Sequence, residues 1–423
     1  MRILKIGSNG SDVMKIQAVL KKIGYSIYKI DGVFGNETKL AVIKFQNNNG
    51  LTPDGIIGAE TQKILQKYIL GYHVYTIKPQ DTLYGIAKAN YTAVNRIIAA
   101  NPGLIPNNLV IGTKVIIPFG INVVDTNVNY TYGIMKKDIE GLVARYPFIE
   151  TGIAGKSVLG KNLYYIKIGS GPNQVFYNGS HHALEWITSP LLMKFVEDFS
   201  KAYVDGGTIK GYNIRSIFNK SSIYIIPMVN PDGVDLVIDG LQKESPYYYK
   251  LIEWNKGNTD FSKVWQANIK GVDLNHNYDA SWNLSKQAEA AYGITGPGPT
   301  RYSGTYPESE PESRAIANFT RNYNFRLVIA YHSQGEVIFW TYSNIVPKDS
   351  VFIAELFSRV SGYTLSEPIG IVSYAGYKDW FIAKYVRPGF TIEVGQGKNP
   401  IALNQFDKIY KDNIEVLLLA PII

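Results

Sequence analysis

Residues 179–187 read GSHHALEWI and directly follow an apolar run at 174–178. His182 and Glu185 are three positions apart, so both side chains can reach one metal ion from a single turn. His181 has a leucine at that offset and cannot form the same pair. The apolar run predicts a strand that enters this turn, and the residues after Glu185 predict a helix. The pair is therefore expected at the carboxyl end of a strand, where open α/β sheets place their sites.

The cysteine and histidine counts restrict which side chains can complete such a site. The 423 residues include no cysteine and five histidines, so any metal must be held by imidazole and carboxylate groups. His276 with Asp279 is the one other histidine that precedes an acidic residue by three positions. A further ligand must come from far along the chain. His332 follows an apolar run, and Glu393 lies within another, where a carboxylate is costly unless it is paired or functional.

Composition and hydrophobic patterning predict an ordinary globular chain with several domains. At roughly 150 residues per domain, the length predicts two or three domains. Apolar residues make up 45% and charged residues 18%, which excludes a disordered or collagen-like chain. No apolar run reaches about 18 residues, so we expect no membrane span. Over residues 120–423, strand patterns alternate with helical patterns, which predicts an α/β sheet covered on both faces.

A sequence repeat marks the N-terminal region. DGVFGNET at 31–38 recurs as DGIIGAET at 54–61, and each Asp-Gly pair predicts a tight turn. Helical spacing predicts three short helices at about 11–23, 37–49 and 58–68. On the repeat and on LKIGSNG at 4–10, the segment 1–68 resembles the peptidoglycan-binding domain of wall hydrolases. The resemblance implies a small three-helix domain that binds peptidoglycan.

The next segment, 73–118, has the pattern of a strand, two helices and a strand. An alternating strand pattern opens it, and the Asp81-Thr82 pair predicts the start of a helix. With QDTLYGIA at 80–87 and IGTKVIIP at 111–118, the segment resembles a LysM domain. The resemblance implies a βααβ domain that binds the N-acetylglucosamine-containing glycan of peptidoglycan or chitin.

Further motifs follow GSHHALEWI along the chain: NPDG at 230–233, GVDLNHNY at 271–278, YHSQ at 331–334, DW at 379–380 and FTIE at 390–393. In this order they resemble the zinc carboxypeptidases of the carboxypeptidase A type, over roughly 150–420. The resemblance implies an α/β domain with a mixed central sheet covered by helices. It also implies that His182, Glu185 and His332 hold one Zn²⁺ per chain and that Glu393 is the general acid/base.

The chain departs from this family's pattern where the family binds substrate. Digestive members use an Asn-Arg pair to hold the terminal carboxylate of the substrate, and this chain has Asn275-His276. The family's Trp-Arg pair, which assists the oxyanion, is Trp265-Gln266 here. Both losses argue against an ordinary C-terminal exopeptidase. Arg301 is an alternative carboxylate anchor, although a solvated loop arginine is the simpler interpretation.

The side-chain pocket and the family's mobile tyrosine give three more candidates. Lys378 stands just before Asp-Trp, at a position that lines the pocket. A cation there would suit a substrate with an acidic side-chain end, unless the lysine points into solvent. Tyr374 and Tyr377 both qualify as the mobile tyrosine, and their spacing does not choose between them.

Two wall-binding modules on a zinc peptidase resemble the bacterial γ-D-glutamyl-meso-diaminopimelate peptidases. We predict domains at 1–70, 71–120 and 121–423. The resemblance implies hydrolysis of the γ-D-Glu–meso-diaminopimelate amide, with peptidoglycan glycan and stem peptide as partners. The alternatives are a wall-tethered metallocarboxypeptidase of broader specificity and a non-catalytic wall-binding protein.

Charge and targeting patterns add weaker expectations. The net charge of +8 favours an anionic partner, but the positive charges are not clustered, so we predict no nucleic-acid partner. The N-terminus lacks the pattern of a secretory signal. A wall substrate predicts a location at the cell wall or spore envelope, and a cytoplasmic or forespore location would also fit that N-terminus. The sequence does not indicate the oligomeric state.

Overall fold

The computed structural model describes residues 2–367 and 374–423, and these residues form two compact units. The first unit runs to residue 150 and includes residues 196–209. The second unit comprises residues 151–195 and 210–423. The predicted domain boundaries near 70 and 120 stay predictions, since neither unit ends there.

Three helices form around the N-terminal repeat: α1 Ser11–Lys22, α2 Asn36–Asn48 and α3 Ala59–Leu70. The two copies of the repeat are tied down in the same way. The side-chain amide of Gln17 donates to Asp31 Oδ1 at 3.0 Å, and that of Gln46 donates to Asp54 Oδ1 at 2.7 Å. The side-chain oxygen Oε1 of each glutamine accepts the N–H of the glycine that follows the aspartate. Each helix therefore fixes the Asp-Gly turn that comes after it.

The predicted strand–helix–helix–strand segment is confirmed. It contains β1 Tyr72–Thr76, α4 Leu83–Ala89, α5 Val94–Ala100 and β2 Lys114–Pro118, with the two strands antiparallel. The Thr82 hydroxyl caps α4 by accepting the Gly85 N–H at 3.0 Å. Ile77, Ile97 and Ile117 pack in its small core.

Helix α6, Tyr132–Arg145, belongs with the first unit through buried charges. The Lys15 ammonium of α1 lies 3.0 Å from Asp138 Oδ1 and 2.8 Å from Asp125 Oδ2. Burial acts to lower the pKa of Lys15, but these two carboxylates outweigh burial and raise it. Because a buried charge needs its partners, the segment 121–150, which we predicted in the third domain, groups with the N-terminal modules.

After α6 the elements are, in chain order, β3 Glu150–Lys156, β4 Asn162–Ile168, β5 Asn173–Gly179, α7 Thr188–Asp205, β6 Thr208–Ile209, β7 Tyr212–Asn213, α8 Ile214–Lys220, β8 Ser221–Ile226, α9 Pro231–Asp239, α10 Tyr248–Trp254, α11 Trp282–Ala291, α12 Pro311–Arg321, β9 Leu327–His332, β10 Val337–Phe339, α13 Ser350–Ser361, β11 Thr364–Ser366, α14 Tyr377–Tyr385, β12 Gly389–Glu393 and α15 Phe406–Leu419. Short 3₁₀ turns lie at Ala183–Glu185, Leu274–His276 and Leu403–Gln405. None of the helices among these described residues is both long and apolar enough to cross a bilayer.

An eight-stranded mixed sheet is the centre of the second unit, in the order β11-β10-β12-β9-β5-β8-β4-β3. Strands β8, β5, β9 and β12 run parallel to one another, whereas β4 pairs antiparallel with β8, and β10 pairs antiparallel with β12 and parallel with β11. The parallel strands read as near-continuous apolar runs, as strands covered on both faces do. The predicted mixed sheet is therefore confirmed.

Helices cover both faces of this sheet. On one face, Phe176 of β5 and Val328 of β9 share a core cluster with Phe319 of α12 and Trp380 of α14. On the other face, the Tyr177 hydroxyl donates to the carbonyl of Leu417 in α15 at 2.9 Å. Alternate residues of β5 thus point to opposite helical layers, which fixes the strand between them.

Candidate active site

The carboxyl ends of three parallel strands meet at one edge of the sheet. Strands β12, β9 and β5 are neighbours, and β8 pairs with β5 on its other side. The chain therefore reverses its direction of travel across the sheet around β5, and such a switch point forms a crevice at the strand ends. His182 lies three residues beyond the end of β5, His332 is the last residue of β9, and Glu393 is the last residue of β12.

His182, Glu185 and His332 converge, as their spacing and the resemblance predicted. Nδ1 of His182 lies 2.9 Å from Glu185 Oε1, and Nδ1 of His332 lies 2.8 Å from Glu185 Oε2. The donor atoms of the three residues all lie within 4.8 Å of one another. Two imidazole nitrogens thus face a single carboxylate, an arrangement that a cation at its centre satisfies.

The backbone that carries His182 is held by polar groups from two other segments. Gly179 has no room for a side chain, because a Cβ there would lie 2.9 Å from Thr188 Oγ1. The Asn230 side chain donates to the His181 carbonyl at 3.2 Å and accepts the Gly233 N–H that caps α9. The NPDG motif therefore supports the loop that presents His182.

His181 does not join the cluster, as we predicted from its spacing. Its ring is fully buried, and Nε2 lies 2.9 Å from the Tyr278 hydroxyl. The ring stacks on that of His332, with centroids 5.6 Å apart. Burial, His332 and His182 together lower the pKa of His181 well below its usual value, so it is a neutral packing partner of the site.

Asp273 is a site residue that sequence reasoning missed, although its motif had been recognised. Its Oδ1 lies 3.0 Å from Nε2 of His182. Burial acts to raise the pKa of Asp273, but His182 and His276 outweigh burial and hold it well below its usual range. An anionic partner on the far nitrogen of a metal-binding histidine fixes the ring orientation and leaves Nδ1 for the metal.

Glu393 lies beside the cluster on the neighbouring strand. It pairs in register with His332, and paired residues of adjacent strands share one face of the sheet. Burial and the Glu185 carboxylate raise the pKa of Glu393 well above its usual value, against a smaller opposite effect of His182. A carboxyl with a raised pKa is better suited to accept and return a proton than one with its usual pKa.

Gln266 lies close to the cluster through hydrogen bonds on both its main chain and its side chain. Its carbonyl accepts the Ala183 N–H at 2.9 Å, on the turn that carries Glu185. Its side-chain oxygen accepts the Thr300 hydroxyl at 2.6 Å. The side-chain amide Nε2 has no acceptor among the residues that the structure describes. An uncharged donor is thus available next to the turn that carries Glu185.

Arg301 contacts the site through its main chain. Its N–H donates to Asp273 Oδ2 at 2.9 Å, with a φ of 67°. The guanidinium lies over the Tyr292 ring, 4.9 Å from its centroid, and is neither fully buried nor fully exposed. The structure therefore places a stacked arginine here instead of a freely solvated one.

Asn275 and His276 lie on the 3₁₀ turn that follows Asp273. Asn275 Oδ1 accepts the Tyr377 N–H at 3.1 Å, and Nδ1 of His276 lies 3.1 Å from the Tyr374 carbonyl. Asn275 therefore contacts the first residue of α14, and His276 contacts the segment that precedes this helix. Tyr374 is partly exposed, next to residues 368–373, which lie outside the described part of the chain.

Tyr377, one of the two candidates for the mobile tyrosine, lies in the core of the second unit, where we do not expect a mobile side chain. Its side chain is fully buried and packs against Phe176 and His181. Its hydroxyl forms a hydrogen bond of 2.9 Å with Thr320 Oγ1. The aromatic core holds Tyr377 in place, so Tyr374 is the candidate that remains.

Lys378 is 4% exposed, so the alternative in which it points into solvent does not hold. Its ammonium lies 2.5 Å from Asp379 Oδ1 and also donates to the Thr341 carbonyl. An acidic group of a substrate would have to compete with Asp379 for this charge.

Asn399 is a second residue that sequence reasoning missed, since no recognised motif includes it. Its Nδ2 donates to the Ser333 carbonyl at 2.6 Å and lies 3.4 Å from Glu185 Oε1. Its Oδ1 accepts the Ser333 hydroxyl at 2.7 Å. Asn399 thus orients a candidate ligand and the backbone just after His332.

The donor set fits zinc. Catalytic zinc sites use three protein ligands of nitrogen and oxygen type with bonds of about 2.0–2.2 Å, which puts donors roughly 3.3 Å apart. In the cluster of His182, Glu185 and His332, each imidazole Nδ1 lies 2.8–2.9 Å from a Glu185 oxygen and the three donor atoms lie within 4.8 Å of one another, a range that includes this spacing. Three ligands leave a fourth position for water.

Comparisons with known proteins agree with this geometry. A family model described as zinc carboxypeptidase matches residues 135–416, about two thirds of the chain. A model described as a putative peptidoglycan binding domain matches residues 9–65, and a LysM domain model matches residues 75–118. The resemblances stated from the motifs are therefore confirmed for all three regions, and the family implies zinc as the metal.

Individual relatives also support membership of the zinc carboxypeptidase family. The chain is 44% identical over 291 residues to Gamma-D-glutamyl-L-diamino acid endopeptidase 1 of Lysinibacillus sphaericus, covering 69% of this chain and 72% of that protein. It is 34% identical to YqgT of Bacillus subtilis (strain 168), covering 68% and 76% of the two chains. Bovine thrombin-activatable fibrinolysis inhibitor, solved with a tick carboxypeptidase inhibitor, shares the fold with a TM-score of 0.51 at 20% identity, over 69% of this chain and 95% of that one. This chain belongs to the zinc carboxypeptidase family of metallopeptidases.

Proposed function

We propose that this chain is a zinc-dependent peptidoglycan hydrolase that cleaves the γ-D-Glu–meso-diaminopimelate amide of stem peptides. The observation that carries the proposal is the cluster of His182, Glu185 and His332 with Glu393 beside it. The relative from Lysinibacillus sphaericus, named as a γ-D-glutamyl-L-diamino acid endopeptidase, supports the choice of bond. Peptidoglycan-binding and LysM modules on the same chain support the choice of polymer.

Different residues of the site hold the metal, transfer the proton and orient the ligands. His182, Glu185 and His332 would hold one zinc ion per chain, which supplies Lewis-acid chemistry and a water of lowered pKa. Glu393 accepts a proton from the attacking water at its carboxylate and returns it to the nitrogen of the leaving diamino acid. Asp273 keeps Nε2 of His182 engaged, so that Nδ1 faces the metal.

Substrate binding follows from the departures at the family's arginine positions. Gln266 offers an uncharged donor for the developing oxyanion, close to the turn of Glu185. Asn275 and His276 would contact the diamino acid together with Tyr374. Arg301 and Lys378 are the cations proposed for its carboxylates, although each already has a partner in the fold.

The proposed polymer also suggests where the protein acts. Its two N-terminal modules support association with the cell wall. We propose the cell wall or the spore envelope as the site of action, with stem peptide and glycan as the partners.

Cleavage of a defined tripeptide tests the function. Purified chain is incubated with L-Ala-γ-D-Glu-meso-diaminopimelate, and free diaminopimelate is measured by mass spectrometry. The isomer linked through the α-carboxyl of D-Glu is the matched control, because it has the same atoms and charges. We expect release from the γ-linked tripeptide alone. Faster cleavage of plain peptide C-termini would favour a broader metallocarboxypeptidase. Purified chain with far less than about one zinc per molecule would favour a non-catalytic wall-binding protein.

A further inference from the structure

A cavity of about 730 Å³ opens within the first unit, where the three-helix module meets the βααβ module. Rings from both modules line it: Tyr25, Tyr68, His73, Tyr91 and Phe119. The volume lies within the range of about 300–1,000 Å³ that small-ligand pockets usually have. None of the residues of the zinc-carboxypeptidase site takes part in this cavity.

Three of these rings stack on one another across the two modules. Tyr68 of α3 stacks on Phe119 with centroids 5.3 Å apart and an interplanar angle of 22°. His73 of β1 stacks on the same phenylalanine at 5.2 Å and 23°. Tyr91 stands at the rim with 91% of its surface exposed. Because the other three rings stack on one another, the exposed ring of Tyr91 is the aromatic face available to the apolar side of a sugar ring.

A positive charge lies within the same cavity without an anionic partner. The Lys67 ammonium is 4.9 Å from the centroid of the Tyr68 ring, and no carboxylate pairs with it among the described residues. Lys22, also in the lining, is by contrast paired with Asp125. Nδ1 of His73 is buried and has no partner in the described part of the chain. The cavity thus offers one uncompensated cation and one free imidazole nitrogen.

The junction that forms the cavity is held rigidly. The Phe119 N–H donates to the Gly71 carbonyl at 2.8 Å, which joins the end of α3 to the end of β2. Gly120 passes so close to the Tyr91 carbonyl that a Cβ would lie 2.3 Å from it. The buried pairs of Lys15 with Asp125 and Asp138 fix the segment that follows. The site is therefore largely formed before any ligand binds, which lowers the entropic cost of binding.

We propose that this cavity binds a muramyl peptide, with the N-acetylated sugar ring against Tyr91 and a peptide carboxylate on Lys67. Charge complementarity selects this occupant over neutral N-acetylglucosamine chains, which have no carboxylate for the lysine. The inference goes beyond the proposed hydrolase activity, because it assigns a second binding site, on the wall-binding modules.

Calorimetric titration of the full chain with N-acetylmuramyl-L-alanyl-D-glutamate tests the proposal. This probe lacks the diamino acid and therefore the bond that the hydrolase would cut, so binding is measured independently of catalysis. We expect the substitution Lys67→Gln to weaken binding about tenfold, the usual effect of losing one charged hydrogen bond. Lys63→Gln is the matched control, since Lys63 is exposed on the same helix outside the cavity. It should change the Kd less than twofold.

A second variant tests whether the aromatic ring at the rim of the cavity contributes to binding. Tyr91→Asn should weaken the muramyl probe several-fold without unfolding the chain, because asparagine tolerates the φ of 50° at this position. Tyr28→Asn, at another exposed tyrosine outside the cavity, should leave binding unchanged. N-acetylglucosamine tetramer should bind wild type and Lys67→Gln equally. Absent binding of the muramyl probe, or equal binding by the Lys67 and Lys63 variants, would overturn the proposal.

Discussion

Replacing Asp273 by asparagine is expected to weaken zinc binding without touching a ligand. Asp273 is 1% exposed, and both of its carboxylate oxygens accept hydrogen bonds. Oδ1 lies 3.0 Å from Nε2 of His182 and accepts the Asn275 N–H at 3.2 Å. Oδ2 accepts the Arg301 N–H at 2.9 Å and the Thr300 hydroxyl at 3.3 Å. An asparagine amide has one oxygen, so in either orientation its NH₂ group faces donors.

The size of the effect follows from these contacts. The variant loses a charge-assisted bond to His182, and such bonds contribute about 1.5–3 kcal/mol. Loss of an outer partner of a metal-binding histidine typically lowers metal affinity about 10–100-fold. We therefore expect the Kd for zinc to rise about 10–100-fold, which corresponds to roughly 1.4–2.7 kcal/mol. Activity at saturating zinc should fall less than zinc affinity does.

Competition with a chromophoric chelator measures the Kd for zinc directly and does not depend on catalysis. Asp279→Asn is the matched control, because Asp279 is exposed six positions further along the same loop. Circular dichroism and thermal unfolding establish that both variants fold. The reasoning is refuted if Asp273→Asn retains a Kd within about twofold of the wild-type value.

Three more substitutions test other parts of the site. Glu393→Gln should lower kcat on the γ-linked tripeptide about 10²–10⁴-fold and leave the zinc content of the protein unchanged. A loss of zinc in this variant would contradict a role in proton transfer alone. Tyr377→Phe should lower the free energy of unfolding by about 1 kcal/mol and leave KM for the tripeptide unchanged. Tyr374→Phe should raise this KM. A raised KM for Tyr377→Phe and an unchanged one for Tyr374→Phe would contradict the choice of Tyr374 as the substrate-binding tyrosine. Burial raises the pKa of Glu312 to about 8, so wild type should lose stability from pH 4.5 to 8, because the unfolded carboxyl ionises first. Glu312→Gln should flatten this dependence in calorimetric unfolding at pH 5 to 8, and an unchanged slope would rule out Glu312 as its source.

Local patterns predicted many of the strands and helices and the pairing of His182 with Glu185. Apolar runs give the parallel strands, because a strand buried on both faces needs an apolar side chain at nearly every position. The pairing of His182 with Glu185 follows from their offset, since one turn brings them together. The roles of His332 and Glu393 came from the family resemblance, and the parallel pairing of β9 with β12 brings the two residues side by side.

Contacts between distant segments were not predictable in this way. Asp273 stands 91 positions after His182, and only the fold brings its carboxylate to that ring. Tyr374 and Tyr377 have the same local chemistry, and packing against Phe176 decides which one is buried. The pairing of Lys15 with Asp138 likewise spans 123 positions, so the sequence did not show that α6 groups with the N-terminal modules.

Glu185 and Glu393 have the same side chain, and their different surroundings shift their pKa values in opposite directions. Burial acts to raise the pKa of Glu185, but His182 and His332 outweigh it and lower the pKa to about 2, so this side chain stays a permanent anion suited to hold a metal. Glu393 is without such a cationic pair, and burial together with the charge of Glu185 raises its pKa. A carboxyl whose pKa is raised in this way is better suited than Glu185 to exchange protons with substrate. The separation of ligand from proton carrier is therefore a consequence of which strand end each glutamate occupies.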